Sequence, residues 1–172
     1  MLIISYNHLN LHFFKVFIPF LLAILIMVST HQPLLASETE VDFWRFERSQ
    51  LTTQGLRSSS VGGLGMDKDK VGHMDLSYLE SGTHGNAVLI DLGAGISKSI
   101  GATFFVGAGF VFGYNSELKK SVFSYYPETG IIALFQEQIG LVLSAKRFIG
   151  LYDGVRSENI ISLGLLMRYE VK

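Results

Sequence analysis

At 172 residues, with 14 basic residues against 15 acidic ones, the chain is long enough for one domain with a core of its own, and nothing in its composition divides it in two. The near-neutral balance and the lack of a basic cluster exclude a nucleic-acid footprint, and the absence of cysteine excludes disulfide staples and a lipoprotein anchor. Hydrophobic residues make up 48% of the chain and 18 glycines stand against 3 prolines, the composition of close-packed strands in an apolar setting rather than of a disordered chain.

Residues 1–36 read as an export signal ahead of a β-barrel domain, 37–172. Val16 to Val28 is an unbroken apolar run behind Lys15, followed by a polar stretch that ends in Leu34-Leu35-Ala36. A spanning helix needs about 20 apolar residues, and this run is shorter and carries Pro19. Cleavage after Ala36 and export through the Sec pathway are therefore expected, with a retained anchor as the alternative.

Beyond Glu38 no long segment holds a helical period, whereas apolar–polar alternation recurs between turn signals. The strands drawn from it run Val41 to Arg48, Leu56 to Met66, Val71 to Leu79, Asn86 to Ile96, Ala102 to Gly113, Tyr126 to Phe135, Ile139 to Phe148 and Ile160 to Val171. Residues 67–70, 97–99 and 136–138 form short connections, while 49–55, 80–85, 115–125 and 149–159 form longer ones. Short and long alternate, as the two ends of a membrane barrel require. The expected fold class is all-β, an eight-stranded antiparallel up-and-down β-barrel that is transmembrane.

The two faces of each strand differ in chemistry. Phe104, Val106, Phe110 and Phe112 in the fifth strand, Leu141 and Leu143 in the seventh, and Leu165 and Met167 in the last are expected to face lipid. Opposite them lie glycine, serine and charge. A basic group facing the bilayer midplane costs about 2–4 kcal/mol, so the charges must point inward. His73, Asp75, Asp91, Lys146, Arg168 and Glu170, joined by Arg45, are expected to form a luminal polar network that plugs the barrel. Trp44, Tyr114, Tyr126 and Tyr169 are placed at the membrane interfaces as an aromatic girdle.

Alternation alone also suits a soluble periplasmic β-barrel in which the apolar face is the core and a small apolar ligand lies inside. The glycine- and serine-rich second face favours a tight lumen over a solvent surface.

Little in the sequence points to catalysis. After the signal only His73 and His84 remain, too few and too far apart for a metal centre, and no cofactor is expected. His73 and Asp75 share a strand parity and could make an acid–base couple, though a structural hydrogen bond is the plainer role. Gly93-Ala94-Gly95 and Gly107-Ala108-Gly109 open no helix, so they read as strand packing rather than a phosphate loop. A lipid-modifying enzyme would need serine, histidine and acid at the rim, whereas Ser77 and His73 share the luminal parity. Lys119-Lys120, with Phe123 and Tyr125 following, is a candidate contact for lipopolysaccharide.

Three segments, FFVGAGFVFGY, YYPETGIIALFQEQIGLVLSAKRF and ENIISLGLLMRYEV, resemble those of small Gram-negative outer-membrane β-barrel proteins of the OmpA-type or YfaZ-like kind. The resemblance covers about the last 70 residues and is one of architecture. It implies an outer-membrane location, a structural, anchoring or surface-contact role, outer-membrane lipid as surroundings, and the barrel assembly machinery as partner. The chain departs from that pattern at its end, Arg168-Tyr169-Glu170-Val171-Lys172, where such barrels finish on an aromatic residue; Tyr169 is the nearest substitute.

Overall fold

The computed structural model describes residues 41–52, 55–81, 84–135, 138–152 and 155–169. The predicted signal at 1–36 lies outside them, as do Glu170 and Val171. Eight strands follow in chain order: β1 Val41–Thr52, β2 Arg57–Asp67, β3 Lys70–Glu80, β4 Ala87–Ile100, β5 Ala102–Asn115, β6 Lys120–Phe135, β7 Ile139–Tyr152 and β8 Val155–Tyr169. Each pairs antiparallel with the next, and β8 closes on β1 through pairs such as Asp42–Tyr169 and Arg48–Leu163. Closure removes both sheet edges, the feature that leaves every strand paired on two sides.

Strict period-two alternation makes the two surfaces. In β3, Val71, His73, Asp75, Ser77 and Leu79 are buried in the lumen, while Met74, Leu76 and Tyr78 stand exposed outside. The same phase runs round the barrel, because the register carries each inward residue to an inward neighbour. Register shifts interrupt it between Ser49 and Leu51, which turns Leu51 outward where it is exposed, and between Ile149 and Tyr152.

Several connections are shorter than the sequence predicts. Ser97, Lys98 and Ser99 belong to β4, and the chain reverses at Gly101, with φ of 92°, between the paired Ile100 and Ala102. β6 begins at Lys120, which leaves 116–119 as the turn in place of 115–125, and β7 and β8 together take up most of 149–159. Polar residues at these positions read as turns locally, yet a neighbouring strand that offers matching hydrogen bonds holds them extended.

The lumen is filled in three layers. Phe43, Leu64, Val71, Phe105, Ile132, Val142 and Leu166 pack together at the end where β1 begins and β8 stops. Leu79, Leu89, Val111, Val122, Phe148, Leu151 and Ile160 pack near the other end. Between the two lies a layer of charge.

Candidate functional site: a luminal charge network

The middle layer is built strand by strand. β1 supplies Arg45 and Glu47, β3 His73 and Asp75, β4 Asp91, β6 Tyr126 and Glu128, and β7 Ser144 and Lys146, all buried. Strands that give no charge at this level give glycine. A Cβ on Gly62 of β2 would strike Asp75, one on Gly109 of β5 would strike Tyr126, and one on Gly164 of β8 would strike Glu47. Gly93 of β4 leaves the room that the His73 ring occupies. An eight-stranded barrel has space inside for about one set of side chains, so large residues must alternate with none at all.

Arg45 is the centre. Its Nε donates to Asp75 Oδ1 at 3.3 Å, and Nη2 donates to Asp75 Oδ2. Nη2 also lies 2.9 Å from His73 Nδ1, while Nη1 is 4.0 Å from Glu47 Oε1. Ser144 Oγ donates to that same Glu47 oxygen at 3.0 Å. Across the lumen Lys146 Nζ donates to Asp91 Oδ2 at 2.6 Å and sits 4.8 Å from the centre of the Tyr126 ring, whose hydroxyl donates to Asp91 Oδ1. His73 Nε2 joins the two halves at 3.1 Å from Glu128 Oε1.

His73 Nδ1 is 2.9 Å from both Arg45 Nη2 and Asp75 Oδ2. A guanidinium only donates and a carboxylate only accepts. A neutral ring protonated at Nε2 therefore accepts from Arg45 and donates to Glu128; an imidazolium donates to Asp75 and Glu128 at once. Both forms keep the ring bonded at both nitrogens.

Ligand atoms of His73, Asp75 and Asp91 lie within 4.8 Å of one another, a spacing that a metal ion could use. Those carboxylates already face Arg45, Lys146 and the Tyr126 hydroxyl, so protein cations take the place of an ion. Just above, a cavity of about 10 Å³ touches Glu47, Ser60, Ser77, Asp91, Lys146 and Ser162, room for about one water.

Of the residues predicted for this network, the structure brings His73, Asp75, Asp91, Lys146 and Arg45 together. Arg168 keeps the inward parity but lies beside Phe43, below the layer that contains Leu166, and its amide donates to the Gln138 carbonyl at 2.7 Å. Glu170 falls outside the described residues. Tyr126 corrects the sequence reading: it is not interfacial but 1% exposed in the lumen, because β6 starts six residues before the predicted strand and its parity puts Tyr125 and Phe123 outside instead. Glu128, on the same face as Tyr126, and Glu47, on the same face as Arg45, were missed; strand parity was the signal for both.

The outer wall carries the residues predicted to face lipid. Phe104, Val106, Phe110, Phe112, Leu165 and Met167 are exposed, Leu141 and Leu143 half-buried at outward positions. Trp44 and Tyr169 lie together near the start of β1 and the end of β8, ring centroids 5.2 Å apart, and Tyr114 marks the opposite end of the wall. Exposed apolar side chains thus form a continuous belt round the outside, with most of the buried charge inside it.

No protein family and no curated protein matches this sequence. Among solved structures, the chain is similar to the N-terminal β-barrel domain of Pseudomonas aeruginosa OprF, with TM-score 0.58 and 16% identity over 77% of this chain and 98% of that one. It is also similar to a de novo designed transmembrane β-barrel, with TM-score 0.54 and 12% identity over 78% of this chain and 98% of the other. At these identities the likeness is one of fold, and in architecture the chain resembles the OmpA-like barrels.

Proposed function

We propose that the protein is a structural barrel of a Gram-negative outer membrane, reached by Sec export, that anchors a surface in the bilayer and performs no catalysis. One observation carries the reading: the wall is apolar outside and ionic inside. From Phe104 to Tyr114 the outward face of β5 rises roughly 25 Å at about 3.3 Å per residue and a tilt of about 40°, the height of the apolar band of a membrane barrel. Monomeric soluble proteins rarely leave apolar patches beyond a few hundred Å² in water, whereas the belt here encircles the molecule. Bilayer lipid is then its surroundings, and the barrel assembly machinery and lipopolysaccharide are its expected contacts.

A soluble carrier of a small apolar ligand is less well supported, because among the described residues three layers of side chains pack the lumen and the cavity beside Glu47 and Lys146 is about 10 Å³. Cell fractionation with gel analysis tests the proposal. The protein should sediment with outer membrane and migrate differently before and after boiling, and nitroxides at Phe110 and Leu143 should report acyl-chain contact. Recovery in the soluble periplasmic extract, or water-exposed labels, would overturn it.

A further inference from the structure

The apolar belt is not equally high on all sides. Glu47, Asp91, Tyr126 and Lys146 meet in the luminal layer, so their chain neighbours Arg48, Ile90, Tyr125 and Arg147 leave the wall outward at that level. Above it on β3 to β6 the outward positions are mostly apolar, with Leu76, Tyr78, Val88, Phe112, Tyr114 and Phe123 all exposed, and Glu80 and Ser121 turn polar only at the rim. On β7, β8, β1 and β2 they are Arg147, Asn159, Arg48, Gln50, Arg57 and Ser59 beside a half-buried Ile149, and Leu51 is the sole exposed large hydrophobic side chain there among the described residues. From Gly109, which faces Tyr126, to Tyr114 the wall rises roughly 12 Å at about 3.3 Å per residue and a tilt of about 40°. The belt therefore ends about that much lower on the arginine side.

We infer that this half of the wall binds the phosphate of a phosphorylated lipid headgroup, drawn down to Arg48, Arg57 and Arg147; the inference rests on the membrane reading above. An arginine against hydrocarbon costs about 2–4 kcal/mol at the midplane and about 0–1 kcal/mol near the interface, so the headgroup layer must meet these side chains. Among the described residues none of the three guanidinium groups has an ion-pair partner, and no outward carboxylate lies at this height on the four strands. Charge complementarity therefore selects an anion.

Residue type narrows the anion further. The outward cations of this half are all arginine, the planar fork that grips phosphate with two bonds, while the opposite end carries Lys68, Lys70 and Lys98. Arg48 pairs across with Ser59, and Arg57 stands two residues further on the same face, a diagonal of about 7–8 Å that lets two guanidinium groups close on one phosphate. Glu80, opposite Arg57, leaves the pair with a net positive charge. Leu163, the cross-strand partner of Arg48, and Leu165 below it offer an aliphatic track for the acyl chain.

The test uses the full chain refolded in zwitterionic micelles, exposed to bis-phosphorylated lipid A or its dephosphorylated counterpart, with bound lipid counted by native mass spectrometry. The wild type should retain the phosphorylated lipid about tenfold or more better than Arg48→Gln/Arg57→Gln/Arg147→Gln, and Lys68→Gln/Lys70→Gln/Lys98→Gln should match the wild type. Equal retention of the two lipids, or equal retention by wild type and arginine variant, overturns the inference. So does a dimer mass that the arginine variant abolishes, which would assign this half-wall to a second copy. If the triple variant does not fold, Arg48→Lys/Arg147→Lys replaces it; partial loss is expected, and no loss counts against the inference. A heat-shifted wild-type band without lipid preference sinks this inference alone, whereas absence of any heat shift sinks the membrane reading.

Discussion

Arg45 has no exposed surface, and its charge is tolerated because Asp75 takes it in two hydrogen bonds while His73 and Glu47 stand beside it. Removing one partner of such a pair strands the other. Arg45→Met is expected to cost about 3–5 kcal/mol, read as a lower denaturant midpoint of the micelle-folded barrel, while Arg45→Met combined with Asp75→Leu should recover most of that loss. A double variant no more stable than the single one would mean that the pair is not the unit. Glycine placement gives a second pair of predictions. Gly93→Ala drives a methyl group into the His73 ring and should cost about 1–3 kcal/mol, whereas Gly63→Ala, whose nearest neighbour is the Tyr169 hydroxyl at 4.0 Å, should stay within about 0.5 kcal/mol. At this scale the inward charges on β3, β4 and β7 were legible, because parity within one strand assigns them. Tyr126 was harder to place: a tyrosine suits an interface as well as a lumen, and its side follows only from sharing a face with Glu128, a charge that must point inward.

Strands here are longer than their apolar cores. Lys120 to Tyr125 and Ile149 to Tyr152 carry turn-like or mixed chemistry, and pairing with the adjacent strand, Asn115 with Lys120 and Tyr125 with Ile149, keeps them extended. Local propensity is worth tenths of a kcal/mol per residue and yields to a ladder of paired hydrogen bonds. The reversal between β4 and β5 shows the opposite case, where one residue type is required. Gly101 holds φ at 92°, a conformation that side chains with a Cβ rarely adopt. Gly101→Val is expected to destabilise the barrel by at least about 1 kcal/mol and to lower refolding yield, while Lys98→Val, at an exposed position in the strand three residues earlier, should do neither. Equal yields for both would show that the turn relaxes elsewhere.

For the whole molecule, the three luminal layers close the barrel to bulk flow. Phe43, Leu64 and Leu166 seal below the charge layer, and Leu89, Val111 and Ile160 cover it above. Purified barrel in a planar bilayer is expected to give no steady single-channel current, and a stable open conductance would show that the packed interior does not persist in lipid. Eight strands, their antiparallel order and the two-faced wall were present in the sequence, because a period of two and a change of chemistry between faces are properties of neighbouring residues along the chain. Which inward groups meet was not. The Arg45–Asp75 and Lys146–Asp91 contacts join residues far apart in sequence, and their levels depend on the register of every strand between them and on closure of β8 upon β1. The uneven height of the outer belt comes from the same source, since tilt and register, unlike alternation, exist only once the sheet has closed.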